Sequence, residues 1–408
     1  MTDKDLTLKE LLIPAIDKGM NWLVNSDIYQ KDGKETGGLK SKYDPKIKKY
    51  ETWAGGTTEA LCTSGFVEIA LLYNQTFKTN KYEKEINQSV EHLKGLWNKK
   101  DKIMWAGLNS KSVYPLWAGQ SANALYLHSK LYKNNESKDM ANQIVEWLMR
   151  IQNEDGSIPR DQEWSGKIRK HPVASWNTWL ITTFLEAERN GVKNAGKSAD
   201  KLGNWMITNQ NSDGSFYYNY NSWKSAWRNI RDLGNNGYGS IFKSISTKTL
   251  WKHPTSQSHS LYSALKLHEK TKDTKYLKSA LKVHEWIDNN LSVNHLFFEK
   301  YWLKKHSVQE DVYPTAIVIL ANNYLYQLKK EDKYLNQSIQ IAETILKSQF
   351  RSDDKNMNGA FPGVPLHPTE GYKTYAWDTI GAIKSMNELY KILIGKNSHD
   401  VGVKVEDN

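Results

Sequence analysis

The chain has 408 residues, of which 56 are Lys or Arg and 45 are Asp or Glu, so its formal charge is +11. The mean hydropathy is −0.69, no apolar run approaches the roughly 20 residues that span a bilayer, and the acidic N-terminus lacks the apolar region of a signal peptide. Cys62 is the single cysteine, which excludes an intramolecular disulfide framework and a cysteine-rich zinc site. These features predict a cytoplasmic globular protein with no membrane span.

Apolar residues recur at helical spacing in twelve segments. In chain order these are 7–26, 57–77, 82–98, 118–134, 138–152, 174–190, 196–210, 256–272, 275–291, 311–329, 333–349 and 375–394. Amphipathic segments alternate with segments that are poor in charge and rich in small residues, which is typical of outer and inner helices respectively. We therefore predict an all-α (α/α)6 barrel, or toroid, in a single domain. An open solenoid is the alternative, although its repeats are usually shorter, at about 34–47 residues.

Two of the predicted outer helices are followed by nearly the same turn. The residues are 152–157 (QNEDGS) and 210–215 (QNSDGS), and a related sequence, MNGAF, occupies 357–361. Asp-Gly favours a sharp turn because glycine tolerates positive φ. The repetition predicts that these outer helices end in the same way.

One interval between inner helices is longer than the others, and its excess lies in 216–254. Long insertions between elements are often functional loops or disordered, and disordered segments are poor in aromatic residues. Because this insertion is rich in aromatic and basic residues, we predict an ordered lid over the barrel mouth. The toroid is then formed by 1–395, and the polar residues 396–408 form a flexible tail.

The inner helices of such a barrel run parallel, so their N-termini surround one mouth, where unsatisfied N–H groups lie. The chain has 16 Trp and 22 Tyr but 9 Phe, and each mouth segment brings at least one aromatic residue. Aromatic faces with convergent polar groups are typical of a ligand site and suit carbohydrate rings. The predicted substrate-binding residues are Trp53, Trp117, Gln120, Arg169, His171, Trp176, Asn177, Gln257, Arg228, Glu310 and Trp377. For each of them, an ordinary role in capping a helix or lining the barrel is the alternative.

The positive charge permits an anionic partner without requiring one. The sequence has no recognisable nucleic-acid motif or dense basic stripe, which argues against nucleic acid. A guanidinium group pairs bidentately with a carboxylate, and Arg169 and Arg228 lie near a mouth or in the predicted lid. The predicted partner is therefore an anionic polysaccharide or oligosaccharide that contains uronic acid. No phosphate-binding or dinucleotide motif is present, so we expect no cofactor, and no spacing predicts a metal.

This sequence lacks the motifs of two groups of toroidal enzymes. Class II terpene cyclases use a DxDD acid, and the nearest tetrad, SDDK at 352–355, does not match it. Protein prenyltransferases and lanthionine cyclases hold zinc with cysteine ligands, whereas Cys62 is alone within a predicted helix. These activities are therefore not expected.

The segments 256–287 and 309–328 resemble the C-terminal helical domain of glucuronyl C5-epimerases. In that family a Q-x-H helix start, a T-x-D-x-x-[YF]-L link and an E-x-Y-P-T helix start follow in the same order. The β-rich N-terminal part of the family has no counterpart, and this chain has extra helix pairs instead. At this level the sequence is also similar to polysaccharide lyases and unsaturated glucuronyl hydrolases, which are closed α/α barrels.

The resemblance implies chemistry that begins with removal of the C5 proton of a uronate, as an epimerase or a lyase. Side chains with a matched pKa and direct reach act as the base and the acid, and the candidates are His259, Tyr372 and Tyr375. Polar groups must also neutralise the substrate carboxylate. The candidates for that role are Asn177, Gln257, and Arg169 or Arg228.

Two further functions remain open. Hydrolysis needs two carboxylates about 5–10 Å apart. The candidates at the mouths are Glu59, Glu310, Asp311 and Asp378, with Asp161 and Glu163 after the first repeated turn. The third hypothesis is a toroid that binds glycans without catalysing a reaction. Incubation with a polyuronate separates the three. Proton abstraction leaves C5 exchange or a new double bond, hydrolysis leaves new reducing ends without unsaturation, and a toroid that only binds leaves the polymer unchanged.

Overall fold

The computed structural model describes residues 3–52, 57–110, 112–163, 168–169, 172–217, 252–290, 297–298, 310–363 and 373–395. Twelve α-helices lie within these residues. In chain order they are α1 (Asp3–Asn25), α2 (Ala60–Phe77), α3 (Glu83–Gly95), α4 (Pro115–Tyr132), α5 (Asn135–Arg150), α6 (Ala174–Arg189), α7 (Ala195–Thr208), α8 (Pro254–Thr271), α9 (Thr274–Asp288), α10 (Val312–Lys329), α11 (Asp332–Ser348) and α12 (Ala376–Leu393). The even-numbered helices are the predicted inner set.

The inner helices form a closed ring. The helices α2, α4, α6, α8, α10 and α12 pack against one another in succession, and α12 packs against α2. The outer helices α3, α5, α7, α9 and α11 each pack on the inner helix before them, and α1 packs on α12. The contact of α12 with α2 excludes the open solenoid, so the predicted (α/α)6 toroid is confirmed.

Ten short strands lie in the connections that lead from an outer helix to the next inner helix. They are β1 (Lys42–Asp44), β2 (Lys49–Glu51), β3 (Trp97–Asn98), β4 (Ile103–Met104), β5 (Ser112–Val113), β6 (Asp161–Glu163), β7 (Ile168–Arg169), β8 (Phe297–Phe298), β9 (Glu310–Asp311) and β10 (Thr374–Tyr375). All pairings are antiparallel: β10–β1–β2 and β5–β6–β7 form three-stranded sheets, and β3–β4 and β8–β9 form hairpins. The connections from inner to outer helices contain only a few residues. The N-terminal end of the inner ring is therefore the elaborated face.

Helix boundaries differ from the predictions by a few residues. The helices α4 and α8 begin earlier than predicted, at Pro115 and Pro254, because proline suits the first position of a helix. The helix α3 ends earlier, since Trp97 and Asn98 pair with β4 instead of continuing the helix. The predicted lid lies outside the described residues except at its two ends, and the predicted tail lies outside them entirely.

The repeated turn joins neighbouring outer helices, as its three copies show. Gln152 Nε2 donates to the carbonyl oxygens of Gly156 (2.9 Å) and Ser198 of α7 (3.0 Å). Gln210 makes the same pair of bonds to Gly214 and to Ser279 of α9. Gln349 donates to Gly359 and to Ala15 of α1. Each glutamine thus binds both its own turn and the next outer helix.

Candidate active site

The N-terminal ends of α6, α8, α10 and α12 bring a connected polar network together. His259 of α8 is buried, with Nδ1 2.9 Å from the carbonyl oxygen of Ser175 and Nε2 2.9 Å from the hydroxyl of Tyr313. A carbonyl oxygen only accepts, so Nδ1 carries the hydrogen and Nε2 accepts from the Tyr313 hydroxyl. Burial lowers the pKa of His259 to about 4, which keeps the imidazole neutral at pH 7.

Tyr313 is held between aromatic rings. Its ring centroid lies 4.2 Å from that of Trp377, which is half-buried, and 5.6 Å from that of His259. On the other side of the imidazole, the Trp179 ring lies 4.4 Å from His259, centroid to centroid. The O–H bond of Tyr313 is directed to Nε2 of His259 within this packed aromatic cluster.

Asp378 lies in the first turn of α12 and is buried. Its carboxylate accepts a hydrogen bond from the backbone N–H of Tyr313, but burial dominates and raises the pKa of Asp378 to about 7. Gly363 passes so close that an added Cβ would lie 3.0 Å from Oδ2 of Asp378. This carboxyl group is therefore positioned by the backbone and holds its proton at a higher pH than an ordinary aspartate does.

A second carboxylate, Glu59, precedes α2, and its side chain is also buried. Ser41 donates to its Oε1 at 2.5 Å, and the Cys62 thiol lies 3.9 Å from its Oε2. The pKa of the Cys62 thiol is raised by burial first and then by the negative charges of Glu59 and Asp378. Both carboxylates therefore act on the same thiol, where α2 meets α12.

An aromatic cluster covers the starts of α4 and α6. Tyr114 packs on Trp117 at 4.6 Å and on the edge of Trp176 at 5.6 Å, measured between ring centroids. The guanidinium of Arg160 lies 5.4 Å from the ring centre of Trp176, within the range of a cation–π contact. Gln120 is buried nearby in α4, and its Oε1 has no hydrogen-bond partner among the described residues. This wall offers flat apolar faces beside a free amide oxygen.

Asn177 and Gln257 have structural roles that differ from the predicted substrate binding. Asn177 accepts from the backbone N–H of Ile158 at 2.5 Å and donates back to its carbonyl at 3.0 Å. Gln257 makes the same pair of bonds with Phe216, each at 2.8 Å. Both amides thus hold the residue after a repeated turn against an inner helix, and we leave them out of the proposed site.

The structure describes the other predicted residues to different extents. Tyr375 is half-buried beside Asp378, and β10 pairs it with Lys42. For five predicted residues the structure describes the backbone, which lies in a strand: Asp161, Glu163, Arg169, Glu310 and Asp311. Four predicted residues lie outside the described residues: Trp53, His171, Arg228 and Tyr372.

Tyr313 is not among the residues predicted to act in catalysis, although it occupies the tyrosine position of the epimerase-like helix start. Its partner, His259, is 54 residues away in the chain. Only the helix start EDVYPT at 310–315, which is similar to the E-x-Y-P-T of the epimerases but has one more residue between Glu and Tyr, could have singled out this tyrosine. Tyr313 is thus an addition that the structure makes to the site.

The closed ring of inner helices, with the outer helices around it, defines a toroid of the (α/α)6 class. Several solved structures share this architecture. A D-mannose isomerase superposes with a TM-score of 0.70 at 12% identity, covering 93% of this chain and 97% of that one. An unsaturated glucuronyl hydrolase specific for heparin gives 0.69 at 12% identity, covering 95% and 99%. A cellobiose 2-epimerase from Bacillus thermoamylovorans gives 0.71 at 9% identity, covering 94% and 99%. At such identities the likeness defines the fold.

No protein-family model matches the chain, and no curated protein matches it in sequence. Of the helices that the structure describes, none combines the length and apolar character needed to traverse a bilayer. Across the same described ranges, no three His, Cys, Asp or Glu side chains converge as metal ligands.

Proposed function

We propose that the protein is a carbohydrate-active enzyme that abstracts the C5 proton of a uronic acid residue in a polysaccharide or oligosaccharide, as an epimerase or a lyase. The observation that carries the proposal is the hydrogen bond from the Tyr313 hydroxyl to Nε2 of His259 at 2.9 Å. It pairs a phenol with a neutral imidazole at the mouth of the ring. The neighbouring toroids include enzymes named for epimerisation, isomerisation and glucuronyl hydrolysis, which supports a saccharide as the substrate.

The proton has a defined path in this proposal. The phenolic oxygen of Tyr313 takes the C5 proton while its own proton passes to Nε2 of His259, and the electron pair of the C–H bond remains on the substrate, which becomes enolate-like. Asp378, which is protonated below about pH 7, then donates a proton. Donation to C5 from the opposite face gives the epimer, and donation to the departing O4 gives the unsaturated lyase product.

The test uses heparosan and alginate as substrates in D2O. Deuterium at C5 without chain cleavage identifies an epimerase, and absorbance from a new C4–C5 double bond identifies a lyase. Tyr313→Phe should lower the rate at least about 100-fold, since general acid–base groups contribute that much. The matched control is Tyr126→Phe, which removes a buried hydroxyl bonded to Asn142 at 2.9 Å and should retain the rate.

Turnover by Tyr313→Phe at the wild-type rate would overturn the assigned path. Absence of deuterium exchange and of unsaturation on every polyuronate would overturn the reaction itself. If such a preparation still bound the polymer, the result would favour the non-catalytic glycan-binding toroid.

Hydrolysis is the second candidate, and one observation favours it specifically. Glu59 and Asp378 are both buried at the N-terminal ends of α2 and α12, and these two helices pack against each other. The raised pKa of Asp378 suits a general acid, with Glu59 as the second carboxylate. New reducing ends without unsaturation or C5 deuterium, lost in both Glu59→Gln and Asp378→Asn, would establish this alternative.

A further inference from the structure

The ring encloses a cavity at the end opposite to Tyr313. Its volume is about 700 Å³, and the middle and C-terminal turns of all six inner helices line it. Ligand pockets usually occupy roughly 300–1,000 Å³. The connections from inner to outer helices at this end are short, so they leave the end of the ring uncovered in the described chain.

Two asparagine side chains in the cavity wall lack partners. Asn323 of α10 is 2% exposed, and neither its Nδ2 nor its Oδ1 has a hydrogen-bond partner among the described residues. The buried Oδ1 of Asn123, across the ring in α4, also has none within the described chain. A buried amide without a partner is unfavourable. Both amides line the cavity, where a hydroxylated ligand would satisfy them.

The cavity also has an aromatic floor. Trp179 and Tyr262 stack with ring centroids 5.8 Å apart and planes inclined by 28°. Trp179 lies between the cavity and the His259 imidazole, which its ring contacts. The floor therefore separates this cavity from the Tyr313 mouth. Lys384 Nζ lies 5.3 Å from the centre of the Trp179 ring, so the half-buried Tyr262 ring is the apolar face available to a ligand.

The cavity wall carries equal numbers of cationic and acidic residues. Four are cationic, Lys130, Arg189, Lys266 and Lys384, and four are acidic, Glu68, Glu186, Glu269 and Glu388. Several form pairs, including Lys384 with Glu68 at 2.7 Å and Lys266 with Glu269. With no excess of either sign, the wall favours a neutral polar ligand over a polyanion.

From these features we propose a second saccharide site, distinct from the proposed active site, that binds a neutral mono- or disaccharide. The sugar ring packs on the Tyr262 ring of the floor, and its hydroxyl groups bond to Asn323 and Asn123. The wall lysines donate to the outer hydroxyls, and the wall glutamates accept from them. The inference does not depend on the reaction at Tyr313.

Saturation-transfer NMR on the full chain tests the proposal with glucose, mannose, N-acetylglucosamine and cellobiose, and with glucuronate and glycine as charged probes. We expect saturation of the ring protons of at least one neutral sugar. Asn323→Leu should raise the dissociation constant of that sugar at least tenfold. It should leave thermal stability unchanged or higher, because an unpartnered amide is replaced by an apolar group of similar size. Asn123→Leu is the second variant and should also weaken binding of the same sugar.

Variants at the Tyr313 mouth show which of the two sites gives the saturation-transfer signal. Tyr313→Phe should abolish C5 exchange yet retain the neutral-sugar signal, so the two proposals can fail separately. A signal lost in Trp377→Ala but retained in Asn323→Leu places the sugar at the Tyr313 mouth and overturns this site. Transfer only to glucuronate or glycine, or to no probe at all, also overturns it.

Discussion

In the proposed mechanism His259 acts on substrate only through Tyr313, because both of its ring nitrogens are already bonded. Nδ1 donates to the Ser175 carbonyl, and Nε2 accepts the Tyr313 proton. The predicted base therefore becomes a positioning residue and a proton acceptor for the tyrosine. Asp378, a predicted carboxylate of the hydrolytic alternative, becomes the proposed proton donor, since burial raises its pKa to about 7.

We predict a bell-shaped pH profile for kcat/KM of C5 exchange. The acid limb should rise through about pH 4, because His259, whose pKa is about 4, accepts a proton only when neutral. The alkaline limb should fall through about pH 7, because Asp378, whose pKa is about 7, donates only when protonated. Asp378→Asn should leave slow residual exchange without the fall near pH 7. Because the pKa of Asp378 is about 7, a wild-type rate that stays constant between about pH 6 and pH 8 would contradict this assignment.

At the scale of elements, the repeated turn explains how the outer helices stay in order. Gly156 has φ of +91°, and a Cβ at that position would lie 2.3 Å from the Lys201 carbonyl oxygen of α7. Gly214 has φ of +88° and approaches the Lys282 carbonyl of α9 equally closely. The turn thus requires glycine twice over, for its left-handed backbone and for its contact with the next outer helix.

Gly156→Ala should destabilise the protein more than Gly191→Ala does. Gly191 has φ of +88° but no atom within 4 Å of an added Cβ, so it reports the backbone strain alone, about 1 kcal/mol. Gly156→Ala adds a clash with α7 and should cost about 3 kcal/mol in total. Urea unfolding of both variants measures the difference. Equal losses would mean that α7 moves aside and that the contact does not order the outer helices.

At the scale of the whole molecule, ring closure joins the beginning and the end of the chain. Lys384 of α12 and Glu68 of α2 form an ion pair whose side chains are 14% and 18% exposed, and Lys384 also lies 5.3 Å from the ring centre of Trp179. The ring then presents two unlike ends. One carries the strands and the proposed active site, and the other carries the short connections and the cavity.

Lys384→Met should lower the free energy of unfolding by about 3 kcal/mol, because it leaves Glu68 largely buried without its partner. Adding Glu68→Gln should restore most of the loss. The matched control is Lys355→Met, whose ion pair with Asp27 also joins distant parts of the chain but is 62% and 54% exposed; it should cost less than about 1 kcal/mol. Urea unfolding measures all three. Equal costs for the two lysines would show that the pair contributes nothing to closure.

The alternation of inner and outer helices could be predicted from the sequence, because helical periodicity and the burial of small residues are properties of short segments. The repeated turns were also predictable, since Asp-Gly acts locally. The position of the mouth could also be predicted, because parallel inner helices have their N-termini at the same end of the ring. Trp117, Trp176, Trp377 and Asp378 were placed there correctly by this argument.

Only the tertiary structure decided which of these side chains meet. Asn177 and Gln257 were predicted to bind substrate, but they bond to backbone 19 and 41 residues away in the chain. His259 reaches Ser175 across 84 residues, and no local pattern specifies such a partner. Helix formation follows from the sequence within one segment, whereas a polar group finds its partner only when the closed ring brings distant segments together.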